Sequence, residues 1–134
     1  MYWDEGGLSG PYPIMRLFAR VIDAKHSYTK GHSARVSILS KYLAEKMHLP
    51  TNDIIKVKIA GLLHDAGKVG VPIKILDKNG RPDDKEWQVI QGHPQKSFDI
   101  LNMGSSLGEI APICAAHHEN LMAAAIPSMP RGLI

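Results

Sequence analysis

The chain has 134 residues, of which 44% are hydrophobic and 22% charged, and its formal net charge is +3. This length fits one domain with a real core, and this composition excludes a disordered protein. The apolar runs are too short to cross a bilayer and the first residues do not resemble a signal peptide, so we expect a cytoplasmic protein. The lysines are scattered rather than clustered beside aromatic residues, which argues against a nucleic-acid polymer as partner but is compatible with a small anionic substrate.

Residues 1–13 contain three glycines and two prolines, which predicts a tail or the remnant of a linker. The sequence predicts one domain over residues 14–134. Its single cysteine, Cys114, cannot form an internal disulfide. Because Cys114 lies in an apolar run, it is predicted to pack as a small hydrophobic residue.

Two amphipathic helices are predicted in the first part of the domain. The first covers 14–26 (IMRLFARVIDAKH) and the second 32–49 (HSARVSILSKYLAEKMHL), with a break at SYTKG between them. Apolar residues recur at spacings of three and four in both, which is the helical period. The stripe of the first helix contains Ile14, Leu17, Phe18, Val21 and Ile22, and that of the second contains Val36, Leu39, Tyr42, Leu43 and Met47.

A third helix is predicted within 50–68 (PTNDIIKVKIAGLLHDAGK), followed by a loop over 69–84, where two prolines and an Asn-Gly pair occur. Either Thr51 or Asn52 is a plausible N-cap, and Gly67 is the expected end of the helix. The apolar stripe of this helix contains Ile55, Ile59 and either Leu62 or Leu63.

The rest of the domain is also predicted to be helical. Residues 83–103 (DDKEWQVIQGHPQKSFDILNM) predict two helices with a break before Pro94, since a residue that precedes proline disfavours the helical region. The last helix is predicted over 107–119 (LGEIAPICAAHHE), with Pro112 tolerated near its first turn. No segment alternates with the period of two that is typical of strands, so the fold class is all-α.

Seven histidines are the side chains most indicative of chemistry. His64 and Asp65 follow an apolar run, where an imidazole beside a carboxylate is costly to bury unless it is paired or binds a metal. A hydrogen bond between the two, without metal, is one interpretation. Five of the histidines lie near predicted helix ends or loops, which favours a metal site. His26 and His48 are expected on the surface.

Five blocks in this order, YTKGHSARV, LLHDAGKVGVP, ILDKNG, GHPQKSFDIL and AAHHE, resemble the HD-GYP subgroup of the HD superfamily of metal-dependent phosphohydrolases. The resemblance covers roughly residues 14–119. It implies an HD-superfamily helical bundle that is truncated at the C-terminus, because the family continues with further helices. The loss of those helices is expected to expose apolar surface.

The resemblance implies a centre of two divalent ions, usually iron or manganese. Asp65 would bridge the ions, and Lys68 would place a positive charge on the substrate phosphate; a solvated lysine at a helix end is the alternative for Lys68. Some members bind a third metal through a glutamate where this chain has Tyr28, so two ions are expected. Imidazole and carboxylate ligands suit such ions, which clamp the oxygens of a phosphoryl transfer. The implied ligands are His32, His64, Asp65, His93, His117 and His118.

The sequence departs from the family after the double histidine. The family motif H-H-E-x-x-D-G-x-G-Y-P is replaced by HHENLMAAAIP at 117–127, and one further metal-binding aspartate has no counterpart. Reading the codons of 121–127 one nucleotide earlier can give Asp-Gly-Ser-Gly-Tyr-Pro. Residues 120–134 are therefore interpreted either as a frameshifted reading or as the alanine-rich end of a natural degenerate homologue.

The activity that the resemblance implies is a bacterial signalling reaction, the hydrolysis of cyclic di-GMP to its linear dinucleotide. An upstream sensory or receiver domain and a homodimer are compatible with this interpretation. Two alternatives stay open. One is another HD-type phosphohydrolase that acts on nucleotides or phosphomonoesters, and the other is a non-catalytic module that binds a ligand or a partner protein.

Overall fold

The computed structural model describes residues 12–26, 29–104 and 106–119. In these ranges every regular element is helical, which confirms the predicted all-α class. Tyr28 and the divergent segment 120–134 lie outside the described residues. No helix in the described ranges is long and apolar enough to cross a membrane. The α-helices are α1 (Tyr12–Ala24), α2 (His32–Lys46), α3 (Thr51–Leu63), α4 (Ile73–Leu76), α5 (Asp84–Gln91), α6 (His93–Asn102) and α7 (Ala111–Ala115), and two 3₁₀ turns cover Ala66–Gly70 and Ala116–His118.

The core is built around α3, which packs against α1, α2 and α7. The apolar stripe predicted for α3 is confirmed, because its C-terminal half is fully buried. Cys114 is also buried as predicted, and this burial raises the pKa of its thiol to about 12. The core cluster contains Met15, Ala19, Ile59, Ala60, Leu62, Leu63, Leu101, Ile110, Ala111 and Cys114.

The stripes predicted for α1 and α2 lie mostly on the outside of the described structure. In α1 only Ile22 of the predicted five is buried, while Leu17 is 63% exposed. In α2 the buried residues are small, namely Ser33, Ser37 and Ala44. The two predicted stripes therefore exist as patterns but do not form the described core.

A close approach of α2 and α3 explains why small residues fill their interface. A Cβ atom at Gly61 of α3 would lie 3.0 Å from the Cα of Ser37 in α2, which leaves no room for a side chain. The Ser37 hydroxyl donates a hydrogen bond of 2.7 Å to the carbonyl of Lys58. Large apolar residues of α2 are consequently directed away from α3.

Several predicted boundaries are corrected by the structure. Pro50, and neither Thr51 nor Asn52, is the N-cap of α3. The helix ends at Leu63 rather than Gly67, because the chain tightens into the 66–70 turn. The predicted loop over 69–84 contains α4, and the last helix is shorter than predicted, starting at Ala111.

Two helices separated by a break are found in the second half as predicted, and Pro112 lies in the first turn of α7. The break lies at Gly92 and not at the residue before Pro94, because His93 is helical and Pro94 lies in the first turn of α6. The N-terminus of α5 carries a capping box, in which the carboxylate of Asp83 accepts from the amide of Glu86 while the Glu86 carboxylate accepts from the amide of Asp83. This box satisfies two amides that would otherwise lack partners and fixes where α5 begins.

Candidate metal centre

His32 is the first residue of α2, and its position is set by Gly31 before it and by the contact between Ser33 after it and Asp23 of α1. Gly31 has φ 71°, a left-handed conformation that suits glycine, and it turns the chain into the helix. From α1, the buried carboxylate of Asp23 accepts hydrogen bonds from the amide of Ser33 at 3.1 Å and from its hydroxyl at 2.6 Å. Asp23 thus caps α2 from outside and fixes its first turn against α1.

His64 and Asp65 lie where α3 gives way to the 66–70 turn. His64 is the C-cap of α3, and Asp65 has left the helix with φ −92° and ψ 10°. This departure matters, because on a continuous helix the two side chains would diverge by about 100°. Leaving the helix at Asp65 lets its carboxylate face the same space as the His64 ring, with the His64 Nε2 atom 3.3 Å from Oδ2.

The 66–70 turn is pressed against the start of α6 in a way that only glycine allows. A Cβ atom at Gly67 would lie 2.0 Å from the carbonyl oxygen of His93. The Gly67 amide donates to the Ser97 hydroxyl at 2.8 Å, and that hydroxyl donates to the carbonyl of His64 at 2.7 Å. Ser97 is fully buried and therefore joins α3, the turn and α6 at one point.

Asp65 occupies the middle of the histidine cluster. Its Oδ2 atom lies 3.3 Å from Nε2 of His64 and 3.7 Å from Nε2 of His32. Its Oδ1 atom lies 3.3 Å from Nε2 of His93 and 3.8 Å from Nε2 of His117. The structure therefore brings the predicted ligands together in two groups, His32 with His64 and Asp65, and His93 with His117 and His118.

Backbone hydrogen bonds orient three of the rings. The Nδ1 atoms of His64, His93 and His117 lie 2.8, 2.6 and 2.5 Å from the carbonyl oxygens of Gly61, Ile90 and Cys114. An Nδ1–H that donates to a carbonyl leaves Nε2 of a neutral ring with only its lone pair, which is the form that ligates metals. These contacts point all three lone pairs into the centre.

The spacing of the bare nitrogens fits a cation. The Nε2 atoms of His93 and His117 are 3.1 Å apart, and those of His32 and His64 are 3.2 Å apart. At these distances either one ring of each pair donates an Nε2 hydrogen to the other, or a cation lies between the two lone pairs. Two adjacent nitrogen ligands at about 2.1 Å from an octahedral ion are about 3.0 Å apart, so the donor set suits a divalent metal.

The protonation states also suit metal binding. Burial lowers the pKa of His117 to about 4, and burial likewise lowers the pKa of His32 and of His118. Burial alone would raise the pKa of Asp65, but the hydrogen bonds that His64 and His93 donate when their Nε2 atoms are protonated, together with that of Lys68, outweigh it and hold the pKa of this carboxyl below its usual range. Metals bind neutral imidazole and ionised carboxylate, and both forms are present near pH 7.

Lys68 lies within the centre rather than in solvent. Its Nζ atom is 2.7 Å from Oδ2 of Asp65, and its side chain is 20% exposed. One of its three donor hydrogens therefore faces Asp65, which leaves two for another anionic group. The solvated helix-end lysine that the sequence left open does not describe this position.

The two histidines that match no ligand were predicted to lie on the surface. This prediction is confirmed for His48, whereas His26 is half-buried with Nδ1 2.7 Å from the carboxylate of Asp77. Asp23 and Ser97 were not predicted, because each acts on residues distant in the chain and no local pattern marks them.

Comparisons with known proteins agree with this geometry. A family model described as HD domain matches residues 16–132. The chain is 40% identical over 108 residues to 3'3'-cGAMP-specific phosphodiesterase 3 of Vibrio cholerae, covering 81% of this chain and 24% of that protein. It is 36% identical over 95 residues to a cyclic di-GMP phosphodiesterase of Pseudomonas aeruginosa, covering 70% of this chain and 23% of that protein.

A third relative extends the match along the chain. A cyclic di-GMP phosphodiesterase of Thermotoga maritima is 30% identical over 126 residues, which is 91% of this chain and 33% of that protein. The matches thus span 23% to 33% of the length of these relatives, which are considerably longer proteins.

Proposed function

Because this chain belongs to the HD-domain family, we propose that it is the hydrolase domain of a phosphodiesterase that opens a cyclic dinucleotide to its linear form. The observation that carries the proposal is the position of Asp65, whose two carboxylate oxygens face two separate groups of histidines. A carboxylate in that position suits a bridge between two cations. When bound, the pair of ions supplies charge neutralisation and water activation for phosphodiester cleavage.

We assign the ligand roles from this arrangement. His32 and His64 would hold one ion and His93, His117 and His118 the second, with Asp65 shared between the two. Iron or manganese is the proposed metal, since nitrogen and oxygen ligands in this mixture suit both. Lys68 binds a non-bridging oxygen of the substrate phosphate, because its ammonium already borders the carboxylate and keeps two donors.

Cyclic di-GMP is the proposed substrate, and 3'3'-cGAMP is the second candidate. Relatives named for each compound match this chain, and the one with 40% identity is named for 3'3'-cGAMP. Both compounds contain two phosphodiesters in one ring, so the same centre serves either. The difference between them is one base, and base recognition would involve residues beyond the metal ligands.

Other expectations from the sequence stay predictions. They are the linker character of residues 1–13, an upstream sensory or receiver domain, a homodimer, a cytoplasmic location and the frameshift interpretation of residues 120–134. The greater length of the relatives supports the view that this domain works together with further domains.

The test combines metal titration with product analysis. We expect the 134-residue chain to bind two equivalents of Mn²⁺ by calorimetry and to convert cyclic di-GMP or 3'3'-cGAMP to a linear product seen by chromatography. Asp65→Ala removes the shared ligand, so we expect both ions and all hydrolysis to be lost. Asp99→Ala is the matched control, because Asp99 is an exposed carboxylate on α6 that accepts only from Gln95 among the contacts described.

Each other outcome rejects the proposal in a distinct way. Hydrolysis of p-nitrophenyl phosphate without turnover of either cyclic dinucleotide would favour a phosphohydrolase that acts on phosphomonoesters. Binding of a cyclic dinucleotide without hydrolysis, or failure to bind metal, would favour a non-catalytic module. Retained turnover in the Asp65→Ala variant would reject the centre itself.

A further inference from the structure

The end of α1 contacts several segments that carry or border the centre. Asp23 caps the helix that begins at His32, and His26 lies beside Asp77 after α4. Between them, the side chain of Lys25 reaches the 66–70 turn, more than forty residues along the chain. A stretch of four residues thus touches three separate parts of the fold.

The ammonium of Lys25 is surrounded by backbone carbonyls. Its Nζ atom donates to the carbonyl of Lys68 at 3.0 Å, to that of Val69 at 2.6 Å and to that of Val71 at 2.6 Å. The Lys68 carbonyl also accepts from the Val71 amide, and a cation is favoured at the carbonyl end of a helical turn. Lys25 therefore caps the turn that follows Asp65.

Two lysines at this turn have different chemical capacities. An ammonium has three donor hydrogens, and the three carbonyls use all of those of Lys25. Lys68 uses one donor on Asp65 and keeps two. Lys25 is consequently unable to bind a phosphate while it holds the turn, and any effect on the centre has to pass through the backbone.

We infer that Lys25 is a positioning residue that sets the distance between His32 and Asp65, an inference that rests on the proposed metal centre. Asp23, two residues earlier, fixes the start of α2 to α1, and Lys25 fixes the 66–70 turn to the same end of α1. His32 and Asp65 are thereby referred to one common anchor. Their separation of 3.7 Å between Nε2 and Oδ2 depends on both contacts.

The inference predicts an asymmetry between the two groups of ligands. His93 is the first residue of α6, and that helix is joined to the turn by Ser97 and the contact at Gly67. Those contacts do not involve Lys25. Loss of the Lys25 ammonium should therefore loosen the ion held by His32 and His64 and leave the ion held by His93 and its neighbours nearly unchanged.

The experiment uses three variants of the full chain. Lys25→Met keeps the length of the side chain but removes its donors, and Lys25→Arg restores a cation with several donors. Lys96→Met is the control, because the ammonium of Lys96 donates one described hydrogen bond to the same turn, of 3.2 Å to the carbonyl of Gly70, and methionine keeps the packing of its carbon chain. Mn²⁺ titration by calorimetry, thermal melting, steady-state hydrolysis and amide hydrogen exchange are measured on each.

In Lys25→Met we expect the affinity for one of the two ions to fall about tenfold, which is the lower end of the effect of residues behind metal ligands. The affinity for the other ion should change little, and kcat should fall more than KM rises. Amide exchange at Lys68 and Val71, whose amides bond within the turn, should accelerate. Lys25→Arg should recover part of each change, and Lys96→Met should behave as the wild type.

Three results would overturn the inference. One is that Lys25→Met binds each ion with the same affinity as the wild type. Another is that Lys25→Met loses both ions in proportion to a fall in Tm, without recovery in Lys25→Arg. The third is unchanged exchange at Lys68 and Val71. Amide exchange needs no metal, so it tests the role of Lys25 even if the wild-type chain binds no ion. Failure of the wild-type chain to bind metal would reject the proposed function and not the contact made by Lys25.

Discussion

The centre and the outer faces of α1 and α2 distribute polarity in opposite ways. In the centre, His64, Asp65 and His93 are buried, although they are polar or charged. On the outer faces, Leu17 and Leu39 are 63% and 59% exposed, although they are apolar. Hydropathy alone would have exchanged these two groups.

Hydrogen-bond partners and the spacing between helix backbones, rather than hydropathy, decide which side chains are buried in this fold. Each buried polar side-chain atom in the described ranges lies within hydrogen-bond distance of a partner, and for the Nε2 atom of His93 that partner is His117. The buried residues of α2 are serines and an alanine, and a Cβ atom at Gly61 of α3 would lie 3.0 Å from the Cα of Ser37. Apolar residues of α2 are excluded by distance and not by chemistry.

Of the substitutions near the buried centre, Gly67→Ala should lower the free energy of unfolding most. The new Cβ atom would lie 2.0 Å from the His93 carbonyl oxygen and 2.6 Å from the Ser97 amide nitrogen, so backbone has to move. We expect a loss of about 3 kcal/mol or more, at the upper end of overpacking costs, together with loss of metal binding. Urea unfolding measures it, with Gly104→Ala as control, since a Cβ atom there meets nothing within 4 Å.

Ser97→Ala should have the next largest effect. It leaves the Gly67 amide and the His64 carbonyl without their shared partner at a fully buried position. An unsatisfied buried group costs about 1–3 kcal/mol, and we expect about 2 kcal/mol from urea unfolding. Ser106→Ala, at an exposed position, should change the free energy of unfolding by less than about 0.5 kcal/mol. Equal stability of the two variants would contradict the bridging role of Ser97.

Features of the fold that depend on a local sequence pattern could be predicted from the sequence. The stripe of α3 follows from the helical period and is found. The break between α5 and α6 is also found, but at Gly92, since His93 before Pro94 is helical. The six side chains named from the motifs converge in space, although their roles as ligands are a proposal.

Features that are determined by contacts between distant parts of the chain could not be predicted from the sequence. The end of α3 at Leu63 depends on the turn packing against α6, which residues of helical composition do not reveal. The direction of the α1 and α2 stripes depends on which neighbour approaches more closely. Lys25 and Ser97 act across chain separations of 43 and 30 residues, and nothing near them in the sequence marks their partners.

Gly61→Ala tests the spacing of α2 and α3 and should have a smaller effect. Alanine favours a helix over glycine by about 1 kcal/mol, whereas the new Cβ atom would press on the Ser37 backbone at 3.0 Å, and such overpacking costs about 1–3 kcal/mol. We expect a net loss of about 1 kcal/mol. A gain in the free energy of unfolding would show that the interface tolerates more volume than its geometry indicates.

Leu39→Gln tests the exposed side of the comparison and should have the smallest effect. Its side chain is 59% exposed, so a polar replacement removes little buried apolar area. We expect a change of less than about 0.5 kcal/mol, against about 2–5 kcal/mol for Ile59→Ala in the core. A large loss in Leu39→Gln would indicate that the outer face of α2 is covered when the chain folds in solution.

The order of the ligands along the chain has a consequence for folding. His32, Asp65, His93 and His117 follow one another at separations of 33, 28 and 24 residues, and they meet only when the helices are assembled. A cation bound among them would act as a reversible cross-link that the unfolded chain cannot form at comparable strength. If the proposed centre binds metal, the population of folded molecules should rise with free metal, and a chelator should lower it.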